Sequence, residues 1–361
     1  MYTRREFGQT MLAALPVSTL LLRSPRKTYS GVRLGTITYS FNDMPFVAGQ
    51  DQIDSVIDEC KRSNVDLIEL MCNHAEPVSE YAAQAAAQRA ARAAAMAAAQ
   101  ANGTAAPATG AGAAGGAAPA GAQAGAPAAG AAARGGAGRG RSPEAMKARD
   151  DLRQWRLSTP MSHFTDIKKK FSDNGVTVFA YCVNGMGDDF TSDEIDVMFN
   201  QAKALGASTI SSSTTLSVAQ KLVPVCEKHQ FTVAFHNHDQ LDDPNQFASG
   251  ESIKKGLAMS PWFRSNLDIG HYVESNLDPI PFIKENHDKI THMHVADGTK
   301  DHGQEVYFGQ GNTPLKAVMN LLKDNHYNIV GMVEIEYRTP AGSTPALEVK
   351  KCIEYLAASM A

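Results

Sequence analysis

The fold of this chain is decided by four runs between residues 233 and 336: Val233-Ala-Phe-His-Asn-His-Asp239, Ser265-Asn-Leu-Asp-Ile-Gly-His271, Ile290-Thr-His-Met-His-Val-Ala-Asp297 and Gly331-Met-Val-Glu-Ile-Glu336. Short apolar runs of this kind are typical of buried strands. Histidine or a carboxylate stands at or near the end of each run. Because the loops that follow the strands of a parallel barrel form one mouth, the pattern predicts one shared polar site.

Strand and helix patterns also alternate ahead of these four runs. Strands are predicted at Val32–Tyr39, Val65–Met71 and Val176–Cys182, and a fourth begins at Gly206. Eight strand–helix alternations in all predict a parallel sheet closed into a (β/α)₈ barrel. An open doubly wound sheet is the structural alternative. Its nucleotide-binding form needs a glycine-rich phosphate loop after the first strand, and Tyr39-Ser-Phe-Asn-Asp43 does not resemble one.

Helices are predicted between these strands from apolar periodicity and capping residues. Residues 51–64 place Ile53, Val56, Ile57 and Cys60 on one face. Thr191 and Glu194 have the spacing of a capping box, in which each residue satisfies a backbone amide of the first helical turn. We therefore expect a helix to begin just after Thr191.

The first 30 residues are interpreted as an export signal rather than as part of the fold. Arg4 and Arg5 precede the apolar run Met11–Leu22, a pattern typical of a twin-arginine signal. The run is shorter than the about 20 residues that span a bilayer, so no stable membrane span is predicted. We expect a periplasmic or exported protein. A chance basic start before a buried helix is the alternative, and cleavage or retention of the signal stays open.

Residues 82–145 form a low-complexity insertion, and residues 31–361 otherwise form a single barrel domain. The insertion lies between the second predicted strand and its helix. Its first third is mostly alanine, which favours a lone surface helix. From Asn102 onward alanine, glycine and proline dominate, and such a composition predicts disorder. The insertion is interpreted as a solvated expansion, with a lid over the barrel mouth as the alternative.

The net charge restricts the binding partners, and the number of cysteines indicates whether disulfides form. The net charge of −4 and the isoelectric point near 6.3 argue against nucleic-acid binding, which requires clustered lysine and arginine. The five cysteines are scattered and odd in number, which favours buried thiols over disulfides.

Paired ionisable residues on the last four strands indicate a metal site. Residues two apart on a strand share a face, so His236 aligns with His238, His292 with His294, and Glu334 with Glu336. Several unpaired buried charges would each cost several kcal/mol of desolvation, and a divalent cation offsets that cost. We therefore predict one divalent ion, namely Mn²⁺, Zn²⁺, Co²⁺ or Mg²⁺.

From the first strand to the last helix, the insertion apart, the chain resembles the xylose isomerase-like barrel family of sugar isomerases and epimerases. The resemblance rests on Phe235–Asp239, Leu267–His271, His292–Asp297, Gly309–Pro314 and Gly331–Glu336. It implies one divalent ion bound by a residue on strand five, Asp on strand six, His on strand seven and Glu on strand eight. The matching positions are His236, Asp268, His294 and Glu336, the last chosen because it stands five residues after Gly331.

One departure from that family concerns strand five. Many of its epimerases carry glutamate there, which binds metal and moves protons, whereas this chain has His236 with His238 two residues later. Which histidine binds the ion stays open. The residues predicted to serve catalysis are Glu336, His271, His238 and Glu69.

The expected function is that of a metal-dependent isomerase or epimerase of a small, non-phosphorylated sugar or keto-sugar, acting through an enediolate. Export argues against a phosphorylated substrate. A lyase or hydratase of a keto-sugar or keto-glycoside is the alternative on the same barrel. The related abasic-site endonuclease and a non-catalytic sugar-binding protein are the remaining classes. Relatives commonly form dimers or tetramers, so a homo-oligomer is compatible with the resemblance.

Overall fold

Eight parallel strands close into a barrel in this computed structural model, which describes residues 27–101, 142–187 and 190–361. Each strand pairs with the next in the chain, and the last pairs with the first. The predicted (β/α)₈ barrel is therefore confirmed. The strands are β1 Leu34–Ile37, β2 Leu67–Met71, β3 Thr177–Cys182, β4 Thr209–Ser213, β5 Val233–His236, β6 Phe263–Asp268, β7 Ile290–Val295 and β8 Val330–Val333.

Helices connect the strands. Within the described residues they are α1 Ile53–Ser63, α2 Cys72–Ala75, α3 Glu80–Ala101, α4 Pro143–Ser158, α5 Met161–Asp173, α6 Ser192–Leu205, α7 Leu216–His229, α8 Gly250–Leu257, α9 Ile269–Glu274, α10 Pro279–Asn286, α11 Leu315–Asp324 and α12 Pro345–Ser359. None of the helices in this part of the chain is long and apolar enough to cross a membrane.

Local sequence signals explain where several of these helices begin and end. The capping box of Thr191 and Glu194 is present at the start of α6, as predicted. Gly206 ends α6 with a φ of 77°, a left-handed conformation that glycine adopts without strain. Because Gly206 belongs to this cap, β4 begins only at Thr209 and not at Gly206 as predicted.

The two segments set apart in the sequence lie partly outside the described residues. The predicted export signal falls mainly on residues 1–26, and the glycine-rich part of the insertion falls on residues 102–141. The alanine-rich part forms α3, as expected for a helix there. The predicted boundary at residue 145 falls inside α4, which begins at Pro143 after an N-cap formed by Ser142.

A buried ion-pair cluster holds α4 against the barrel wall. Arg156 donates from Nε and Nη2 to the two carboxylate oxygens of Glu76, at 2.7 and 3.0 Å. Its Nη1 donates to Glu194 of α6 at 2.9 Å. All three side chains are less than a tenth exposed. The chain is thereby fastened where it returns from the insertion.

Apolar side chains between the helices and the barrel form the core. The face of α1 predicted to be apolar is buried, with Ile53 and Val56 completely enclosed. All five cysteines are buried and unpaired, which confirms the prediction of free thiols.

Candidate metal centre and active site

The ends of four neighbouring strands bring the predicted ligands to one level of the barrel. His236 is the last residue of β5 and Asp268 the last of β6. Asp268 lies opposite His294 in the β6–β7 register. Glu334 follows directly after the end of β8. Residues 98 positions apart in sequence are thus brought together because the strands that carry them are adjacent.

The first group consists of His236, Asp268, His294 and Glu334, which offer ligand atoms within 4.8 Å of one another. All four residues are buried. Nδ1 of His236 and Oδ2 of Asp268 have no hydrogen-bond partner. Buried polar atoms are nearly always paired, so two unpaired atoms in one group of ligands are what a bound cation would satisfy. The donor set, two imidazoles and two carboxylates, fits a divalent ion.

The β8 carboxylate in this group is Glu334. Glu336, predicted from the sequence, lines the same cavity and is half-buried. Among the described residues it belongs to none of the groups of three or more ligand atoms within 4.8 Å. The geometry favours Glu334 as a ligand, and Glu336 in that role stays a prediction.

A second group combines His236, His238 and His271. The His238 ring centroid lies 4.8 Å from that of His236 and 5.3 Å from that of His271. His236 belongs to both groups, whereas His238 belongs only to this one. The arrangement favours His236 over His238 as the strand-five ligand and leaves His238 beside it.

His271 is held by two contacts after β6. Its backbone N–H donates to Oδ1 of Asp268 at 2.7 Å, and its Nδ1 lies 2.7 Å from Oε2 of Glu274. A methyl group on Gly298 would approach the side chain of Glu274 to 2.9 Å, so glycine leaves room for this pair. Nδ1 is thus engaged by Glu274, and the ring neighbours His236 and His238.

Glu69 lies inside the barrel, within β2, and has no exposed surface. Its Oε2 lies 2.8 Å from Nε2 of His294 and 3.0 Å from Nε2 of His292. Its Oε1 accepts a hydrogen bond from Ser211. Glu69, His292 and His294 form a third group, which shares His294 with the first.

Burial and neighbouring charges move the pKa values of these groups in opposite directions. Burial, and then His294, hold the pKa of His236 well below its usual value. Burial would also lower the pKa of His294, but Glu334 and Glu69 raise it well above normal. Burial is opposed in the same way at His271, where Asp268 and Glu274 raise the pKa well above normal. In the metal-free chain, positive charge therefore gathers on His294 and His271, beside the carboxylates.

Glu305, in the loop after β7, is a site residue that the sequence analysis missed. Its Oε2 accepts from the backbone N–H of Glu336 at 2.9 Å, while its Oε1 is buried without a partner. Burial and the nearby Glu336 raise its pKa well above normal. No strand pattern points to a loop residue of this kind.

The loop that carries Glu305 is fastened by Asp297. The carboxylate of Asp297 accepts from the backbone N–H groups of Gly309, Gly311 and Thr313, at 2.7, 3.0 and 3.1 Å. A methyl group on Gly311 would lie 2.3 Å from this carboxylate. Asp297 is the last residue of the third run quoted at the start, Ile290–Asp297. A carboxylate in that position could have indicated that the following loop is ordered.

A cavity of about 220 Å³ opens between these groups and β4. One wall consists of uncharged polar residues, namely Asn184, Ser211, Ser212 and Ser213. Neither lysine nor arginine occurs among the described residues that line it. The cavity therefore lies between the candidate ligands and a wall of side chains that can form hydrogen bonds with hydroxyl groups.

Known structures share this fold at low sequence identity. A 3-keto-D-glucoside 4-epimerase from E. coli is 12% identical, with 91% of this chain and 99% of that chain covered and a TM-score of 0.51. A probable 3-DHS dehydratase from Bacillus anthracis is 11% identical, with 89% and 99% covered and a TM-score of 0.52. A sugar phosphate isomerase/epimerase from Parabacteroides distasonis is 12% identical, with 91% and 94% covered and a TM-score of 0.50. These similarities establish the fold alone.

Comparison at the level of sequence gives the family. No curated protein matches the chain. The family described as xylose isomerase-like TIM barrel matches residues 144–358, which is more than half of the chain. The match includes six of the eight strands and every residue of the first group. The chain belongs to the xylose isomerase-like TIM barrel family.

Proposed function

We propose that this protein is a divalent-metal-dependent isomerase or epimerase of a non-phosphorylated sugar or keto-sugar. The observation that carries the proposal is the buried group of His236, Asp268, His294 and Glu334, with two unpaired ligand atoms at the barrel mouth. Residues of this group would hold the ion. A bound divalent ion supplies Lewis-acid stabilisation of the negative charge that develops as a proton leaves the carbon beside a carbonyl.

Proton transfer is assigned to the groups around the ligands. Burial raises the pKa of Glu336, and a carboxyl group with a raised pKa is suited both to take and to return a proton near neutral pH. The position of Glu336 in the lining of the cavity supports this assignment. His271 and His238 stand on the opposite, β5–β6 side and are proposed to contact substrate hydroxyl groups.

The lining of the cavity supports a neutral substrate. A phosphate group is usually bound by arginine or lysine, and the described lining contains neither. Serine and asparagine side chains can both donate to and accept from sugar hydroxyls. The export signal predicted for residues 1–30 points the same way, because sugar phosphates belong mainly to the cytosol.

A lyase or hydratase is the second candidate, and the identity of residue 236 favours it. A neutral imidazole stands on β5, where many epimerases of the family carry glutamate, so the β5 side lacks that proton-transferring carboxylate. Elimination from the same enediolate needs a base on one face only. The fold shared with a probable dehydratase is compatible with this reading.

Incubation with a panel of keto-sugars in D₂O tests both candidates. Exchange at the carbon beside the carbonyl, dependent on Mn²⁺ or Zn²⁺, is expected for the wild type and should disappear in Glu336→Ala. Product mass then separates the outcomes, since isomerisation conserves mass and elimination of water lowers it. Metal binding below about a tenth of an equivalent after reconstitution would contradict the proposed function.

A further inference from the structure

Glu69 lines the cavity beside the candidate metal centre and has no exposed surface. One oxygen of its carboxylate lies within 3.0 Å of the Nε2 atoms of both His294 and His292. The other oxygen accepts a hydrogen bond from the Ser211 hydroxyl. Glu69 is therefore a buried carboxylate with one oxygen between two ring nitrogens.

The two nitrogens of His294 face different carboxylates. Nε2 lies 2.8 Å from Oε2 of Glu69, and Nδ1 lies 2.7 Å from Oε2 of Glu334. The contact of Nε2 with Glu69 has the geometry of a hydrogen bond, whereas Nδ1 makes no hydrogen bond to Glu334. A carboxylate oxygen accepts, so Nε2 carries the proton that it shares with Glu69. A neutral ring then has its lone pair on Nδ1, which is the atom on the side of the first group.

We propose that Glu69 is a positioning residue that holds His294 in the Nε2–H tautomer and turns Nδ1 towards the bound cation. This inference rests on the proposed function. It differs from the sequence-based prediction that Glu69 itself exchanges a proton with substrate. Carboxylates that accept from a metal-bound histidine typically contribute 10- to 100-fold to metal affinity.

Binding of Mn²⁺ and Zn²⁺ to the metal-free full-length protein, measured by competition with a chelator, tests the inference. Glu69→Leu is expected to raise the dissociation constant by about 10- to 100-fold, and Glu69→Gln by less, because its amide oxygen still accepts from Nε2–H. Ser211→Ala is the matched control, since it removes only the contact to the other oxygen of Glu69. Its affinity should stay within about threefold of the wild type.

A second readout does not depend on the metal. Long-range ¹⁵N–¹H correlation spectra of histidine-labelled, metal-free protein should show a proton on Nε2 of His294 that is protected from exchange, and this protection should be weaker in Glu69→Gln and lost in Glu69→Leu. Circular dichroism establishes whether each variant is folded. If Glu69→Leu does not fold, Glu69→Gln alone is compared with the wild type.

The outcomes separate this inference from the function on which it rests. If the wild type binds no cation, the proposed function is wrong. The spectra of the metal-free protein then test the contact between Glu69 and His294 by themselves. Wild-type metal affinity and unchanged protection of the His294 Nε2 proton in both Glu69 variants, with turnover lost, would overturn the inference and assign Glu69 to substrate.

Discussion

Oε2 of Glu334 lies 2.7 Å from Nδ1 of His294, at the point where β8 gives way to its loop. Glu336, two residues further on, lies at the cavity wall. The two carboxylates are close in sequence and occupy different places in the site. We propose that Glu334 is a metal ligand and Glu336 a proton-transferring group, and this is tested by exchanging one carboxylate at a time.

Glu334→Gln is expected to weaken Mn²⁺ binding by more than about 100-fold, beyond the effect typical of a residue behind the ligands. Glu336→Gln should change the affinity by less than about tenfold and abolish solvent exchange at the substrate carbon. Calorimetric titration and deuterium incorporation measure the two effects. The reverse result, with affinity lost only in Glu336→Gln, would support the ligand set implied by the family resemblance.

Asp268→Asn should separate metal binding from stability. Burial raises the pKa of Asp268, which means that its charge is unfavourable in the metal-free site. Asparagine keeps the oxygen that accepts from the N–H of His271 and removes the charge. We expect loss of metal binding together with a metal-free stability that is unchanged or higher by about 1 kcal/mol.

Chemical denaturation of the metal-free proteins measures that difference in stability. Asp288→Asn, at an exposed position on the opposite end of the barrel, is the control and should change neither property. A large destabilisation of Asp268→Asn without metal would indicate that the carboxylate has a structural role.

Arg156→Met should destabilise the fold by about 3–5 kcal/mol, because it leaves the buried carboxylates of Glu76 and Glu194 without their shared partner. Arg153→Met is the matched control on the same helix. The Arg153 side chain is 21% exposed and also binds Glu194, so its removal should cost less than about 1 kcal/mol. Urea unfolding measures the stability of both variants. Equal losses of stability would contradict the prediction that the more buried arginine contributes more.

His74 should make stability depend on pH. Burial lowers its pKa to about 4, from an ordinary value near 6.5. Between these two values the unfolded chain binds a proton that the folded chain does not, so stability falls as the pH drops through this window. The full loss is about 3 kcal/mol and is complete below about pH 4.

The contribution of His74 is isolated by comparing the wild type with His74→Gln in urea at pH 4 to 7. Their difference in unfolding free energy should shift by about 3 kcal/mol across that range. His326→Gln, which changes an exposed histidine, is the control. A constant difference between wild type and His74→Gln would show that His74 has the same pKa in the folded and the unfolded protein.

Much of the fold follows from short-range patterns. Runs of apolar residues predicted the strands, and Thr191 with Glu194 predicted the start of α6. Strand ends were less predictable, because they depend on caps and tertiary contacts. β1, for example, ends at Ile37, and the Thr38 hydroxyl then accepts from the backbone N–H of Met71.

The candidate site was predicted to the extent that it lies on strands. Strand ends that lie at one level of a barrel gave the set of candidate ligands, because alternation tells which side chains share a face. The resemblance to the family then selected His236, Asp268 and His294 from that set. Glu305 was missed because loops have no such periodicity. Glu274 was missed because only its contact with His271 distinguishes it from any other helical glutamate.

The amino-acid sequence by itself determined that eight strands close one parallel barrel and that four of them carry candidate ligands, since hydrophobic periodicity and capping act over a few residues. Only the tertiary structure decided how the candidate ligands are arranged. Glu334 lies beside His294, Glu336 lies at the cavity wall, and Glu69 contacts His294 from 225 residues away in the chain. Contacts of that range depend on strand register and on the angle at which each side chain enters the barrel, and no local pattern encodes either.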